Sequence, residues 1–64
     1  MAAQVGKGIK DAMDANGDHA IEDSTFSKNQ DGSTVERAWG TKGLYIASNV
    51  KGAWETVGPF GGGA

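Results

Sequence analysis

The sequence predicts a mainly α-helical single domain: a short helix over about 2–15, a polar loop, a longer amphipathic helix over about 34–57 and a flexible Gly-rich tail. Three observations predict it. Val5, Ile9, Ala12 and Met13 share one helical face, with Lys7, Lys10, Asp11 and Asp14 mostly turned away. Ser33, Thr34, Val35 and Glu36 have the form of a capping box. Val35, Ala38, Trp39, Ile46, Val50, Ala53, Trp54 and Val57 then fall within about 160 degrees of one another at 100 degrees per residue, ahead of a Gly58–Pro59 stop.

In the first helix Gly6 and Gly8 each cost about 1 kcal/mol relative to alanine, and Asn16 and Gly17 supply the C-terminal stop. From Asp18 to Gly32 the chain is polar except for Ala20, Ile21 and Phe26, and it closes on the turn-prone Asn29, Gln30, Asp31 and Gly32. This stretch is predicted to be a connector anchored by Ile21 and Phe26. The second helix would begin at Thr34 and run roughly 36 Å, against about 20 Å for the first, so part of its apolar face needs another partner. Its interior glycines, Gly40, Gly43 and Gly52, together cost about 3 kcal/mol of helix propensity. They allow a break at 40–43, or an α+β alternative. In that alternative NQDG, GTKG and NVKG are the turns of a short β-meander through STVERAW, LYIAS and AWETV. The tail, residues 59–64, holds one apolar side chain, Phe60, and three consecutive glycines.

Sixty-four residues make one small domain, which hides only about 60% of its unfolded surface. With no cysteine, disulfides are excluded, and a metal or oligomerisation remains as the compensating device. Six Lys and Arg against eight Asp and Glu give a net charge of -2, which argues against nucleic acid as a partner. The N-terminal segment has no uninterrupted apolar stretch of the kind a secretory signal or a transmembrane helix needs, and the expected location is the cytoplasm.

No catalytic constellation emerges. Ser24, Ser27, Ser33 and Ser48 lie in no GxSxG elbow, VGKGIKD lacks the spacing of a phosphate-binding loop, and His19 is the only histidine. The expectation is a protein that is not an enzyme; catalysis would require groups shared across a subunit boundary. Trp39 and Trp54, 15 residues apart, would stand about 22 Å apart along one helical stripe, as core or interface anchors. The predicted function is therefore that of a structural or assembly subunit, a homo-oligomer or a component of a larger complex. Its interface would be Val35, Trp39, Ile46, Val50, Trp54 and Val57. A membrane surface is disfavoured, because Lys42 and Lys51 are few cations for such a helix.

Two local resemblances add alternatives. The segment from Asp14 to Glu22 resembles the start of an EF-hand or dockerin calcium loop, with Asp14, Asn16 and Asp18 at ligand positions 1, 3 and 5 and Ile21 at the apolar position 8. The resemblance implies a calcium-responsive binding module. His19 stands where such loops have glycine and Thr25 where they have the closing carboxylate, so Glu22 or Asp23 would have to substitute. The run Val50 to Gly58, VKGAWETVG, resembles a segment of the baseplate or envelope proteins of chlorosomes. That resemblance implies a small helical polypeptide of a light-harvesting envelope, packed in rows and holding bacteriochlorophyll through a histidine before the tryptophan. Here that position is Ala53, and no pigment site carries over.

Overall fold

Between residues 34 and 60 the chain runs as strands rather than as a helix. A computed structural model describes residues 3–50 and 52–61, with the side chain of Val50 outside what is described. It shows one helix, α1 (Lys7–Ala15), followed by four strands, β1 (Thr25–Lys28), β2 (Thr34–Gly40), β3 (Gly43–Val50) and β4 (Ala53–Phe60). The strands form one antiparallel sheet in the order β1-β2-β3-β4, a meander with α1 packed across β3 and β4.

The mainly α class and the 34–57 helix are thus overturned, and the reason lies in the glycines. Gly40 pairs with Gly43 to close the β2–β3 hairpin around Thr41 and Lys42, and Gly52, at φ +82°, lies in the turn before β4. Positions that weaken a helix are here the ends of strands. NQDG, GTKG and NVKG fall between consecutive strands, and β1 adds a strand inside the stretch predicted as a connector. The chlorosome-like segment lies at the β3–β4 hairpin and not in a helix. Pro59 and Phe60, predicted in the flexible tail, belong to β4, while residues 62–64 lie outside the described residues.

The first helix is also shorter than predicted. Residues 3–6 stay outside it because their backbone bonds go elsewhere: Gln4 donates to Asp23 and accepts from Ser24 at 2.9 Å. Gly6 is the extended N-cap, and its N–H donates to the Glu36 carboxylate at 2.6 Å. The capping box read from Ser33 to Glu36 is therefore not formed, since Thr34–Gly40 is a strand, and Glu36 instead caps α1 across the sheet. A buried carboxylate at a helix N-terminus also faces the positive end of the helix dipole. Ser33 instead turns to Asp31 and Asn29 in the β1–β2 loop.

The core is built from Ile9 and Met13 of α1 against Ala38, Tyr45 and Ala47 of the sheet. These sheet residues are small apart from Tyr45, so the helix approaches closely. A Cβ at Gly8 would meet the Thr56 hydroxyl at 3.0 Å, and one at Gly6 would collide with a Glu36 oxygen at 2.5 Å. Gly8 inside the helix and Gly6 at its N-cap are what let it seat.

Candidate interaction surface

Side chains alternate across a strand, so the register assigns every sheet residue to the helix side or to the opposite side. Glu36, Ala38, Tyr45, Ala47, Trp54 and Thr56 share the helix side. Across the opposite face run three rows: Trp39 beside Leu44 and Phe60, Arg37 beside Ile46 and Val57, and Val35 beside Ser48 and Glu55. Among the described elements none packs over these rows. Trp39, Val57 and Phe60 are 47%, 51% and 50% exposed, and Leu44 and Ile46 are half-buried.

Phe60 reaches this face because of a bulge. Between Ile46 and Leu44 of β3 the partner strand advances three residues, Val57 to Phe60, instead of two. Gly58 makes that possible: its φ is +120°, and a Cβ there would lie 2.5 Å from the Leu44 carbonyl oxygen. Without the bulge, alternation would turn Phe60 toward the helix side.

The face also carries two opposite charges. Arg37 donates to the Ser27 hydroxyl at 3.0 Å, and Glu55 stands opposite Ser48. Among the described residues the ion pairs are Lys7–Asp11 and Lys10–Asp14 on α1, and neither involves Arg37 or Glu55.

Of the predicted interface residues, the sheet brings Val35, Trp39, Ile46 and Val57 to one face. Val35 is buried there, and so contributes little free surface. Val50 pairs with Ala53 at the end of β3, and its side chain lies outside the described residues. Trp54 does not belong with them: opposite Asn49 it stands on the helix side, beside Gly8, 45% exposed. A helical stripe unites Trp39 with Trp54, whereas a sheet puts them on opposite faces. Leu44, Phe60, Arg37 and Glu55 join the surface without having been singled out, and period-2 alternation from Trp39 and Ile46 was the signal that could have found Arg37 on β2 and Leu44 on β3.

The three residues of the calcium-loop reading are put to separate uses. The Asp14 carboxylate accepts from Lys10 at 3.0 Å on the outer side of α1. The Asn16 side chain donates to the Ala12 carbonyl, as part of the helix C-cap. Asp18 is buried: one oxygen accepts from the His19 and Thr41 N–H groups at 2.7 and 2.9 Å and from the Thr41 hydroxyl, the other from the Lys42 N–H and the Tyr45 hydroxyl at 3.1 and 2.9 Å. Among the described residues no group of three His, Cys, Asp or Glu side chains converges as a metal site would require. Gly40 leaves the room for this arrangement, since a Cβ there would strike the Asp18 carboxylate at 2.5 Å.

Burial works against the Asp18 charge, yet the hydrogen bonds from Thr41, His19, Tyr45 and Lys42 outweigh it and hold its carboxyl well below the usual carboxylate range. Tyr45 moves the other way, pushed up by burial and by its hydrogen bond to the Asp18 charge. Asp18 thus ties the end of α1 to the β2–β3 turn, a structural duty that uses both of its oxygens. His19, beside it, is exposed. An open groove of about 900 Å³ lies between the N-terminal segment, α1 and residues 18–23, lined by Val5, Met13, His19 and Ile21 among others.

No protein-family model, curated protein or solved structure matches this chain. The geometry alone therefore carries the functional reading. No helix among the described residues is long and apolar enough to cross a membrane.

Proposed function

We propose that this protein is a non-catalytic assembly module whose working surface is the sheet face opposite α1. One observation carries the reading. The chain spends its small residues, Ala38, Ala47 and Gly40, on the side that packs against the helix, and leaves Trp39, Leu44, Ile46, Val57 and Phe60 together on a face that no described element covers. Scattered apolar residues on a surface need no explanation, but a contiguous set of five across three adjacent strands marks an interaction site. Central aromatic and aliphatic anchors with charges beside them are the usual anatomy of a protein interface.

Incorporation of a photo-crosslinking phenylalanine analogue at Val57, in cells, tests the reading; Phe26, at least as exposed but on the helix side of the sheet, is the control. Adducts from position 57 and not from position 26 are expected, whatever the captured chain. Equal yields at both positions, or none at 57, would overturn the assignment of the face.

A further inference from the structure

We propose that the occupant of this face is a second copy of the same chain, packed sheet to sheet about a two-fold axis that runs along β3. The inference rests on the proposed interaction surface and adds its partner and geometry. Sheets that pack face to face align within about 30 degrees at a spacing of about 10 Å. With the axis along the central strand of the patch, β2 of one copy lies over β4 of the other, because the two strands flank β3 at equal distances.

Three features of the face suit its own copy. Trp39 and Phe60 occupy the two ends of one row, so the axis sets each Trp39 against Phe60 of the second copy. Arg37 stands level with Val57, two residues or about 7 Å along β4 from Glu55, within reach of a long side chain once the sheets are rotated. The axis therefore pairs Arg37 with Glu55 of the second copy, twice, and sets each charge of the face against an opposite one. The face as a whole is neutral, which favours a surface like itself over a strongly charged partner.

The test uses the purified full chain, with mass read by sedimentation equilibrium over a concentration series. The wild type is expected to approach twice 6.6 kDa, and Ile46→Lys to remain at 6.6 kDa with an unchanged circular dichroism spectrum. Arg37→Glu and Glu55→Arg, each alone, set like charges against each other and weaken association by about tenfold or more. Mixed in equal amounts they restore the dimer, since each chain then carries the charge the other lacks. A wild type that stays monomeric overturns the second copy as occupant but leaves the face open to a different partner, which position 57 would still capture. A dimer indifferent to Ile46→Lys indicates pairing away from this face, as through a sheet edge, and overturns both the geometry and the face. A dimer abolished by Ile46→Lys but not rescued by the charge mixture overturns the axis along β3.

Discussion

Replacing Asp18 by Asn should remove a large part of this protein's stability, although it changes one atom. The carboxylate accepts five hydrogen bonds, three on one oxygen and two on the other. An amide can keep the first three by leaving its carbonyl in place, and the Tyr45 hydroxyl can turn to accept, but the new NH2 then faces the Lys42 N–H, donor against donor. One buried donor left without an acceptor costs about 1–3 kcal/mol, and the remaining bonds lose the strengthening that a charged acceptor gives them. The total is about 3 kcal/mol. A 64-residue domain at about 0.05–0.15 kcal/mol per residue has about 3–10 kcal/mol in all, so the midpoint of thermal unfolding should fall by roughly 12–24 °C. The variant also changes the acid response. Because the folded Asp18 carboxyl lies below its unfolded value, its contribution is present above about pH 4 and fades as pH falls from there toward the folded value. Urea unfolding of wild type and Asp18→Asn between pH 2 and 7 should show the two curves converging in acid. Asp31, held low by the hydroxyl and N–H of Ser33, stays in the variant, so some acid slope persists. A variant within 1 kcal/mol of wild type at pH 7, or one whose gap does not narrow in acid, would refute this account of the Asp18 site.

Glu36→Ala removes the acceptor that caps α1 and should cost about 1–2 kcal/mol, seen as faster amide hydrogen exchange in the first turn of α1 before the sheet loosens. Gly58→Ala forces a side chain into a positive φ and against the Leu44 carbonyl, and should lower the urea midpoint by an amount equivalent to about 2 kcal/mol or more; an unchanged midpoint would remove the bulge from the explanation of Phe60's position. Millimolar calcium should leave the melting temperature unchanged, because Asp18 already has both oxygens engaged and Asp14 faces Lys10; a rise saturating with calcium would restore the loop reading.

The sequence made α1 legible, because Ile9, Ala12 and Met13 repeat at helical spacing and face the core. Beyond residue 33 two periodicities competed. Val35, Trp39, Ile46 and Val57 are two-fold periodic within their strands, yet with Ala38 and Trp54 they also fit a helical stripe. What misled was the inversion of the usual pattern on β2: its core side carries Glu36, Ala38 and Gly40, while Trp39 stands on the other, so neither face of β2 reads as plainly apolar. Glu36 read as part of a local capping box that the chain does not form, and its bond to the Gly6 N–H, 30 residues away, is a long-range fact that no local motif encodes. The same holds for Asp18, whose donors come from residues 19, 41, 42 and 45. The interface residues were predicted from a helical stripe that the chain does not form; large apolar side chains without a visible core are candidates in either fold, and only the register separates Trp39 from Trp54.

That separation supplies the most direct measurement. The two tryptophans are almost equally exposed, 47% and 45%, on opposite faces of one sheet. Acrylamide quenching of Trp39 in Trp54→Phe, and of Trp54 in Trp39→Phe, should be compared between dilute and concentrated protein. The account predicts that Trp39 becomes protected as concentration rises while Trp54 stays equally accessible. Trp39 remaining as quenchable as Trp54 at every concentration, or Trp54 being the one protected, would contradict it.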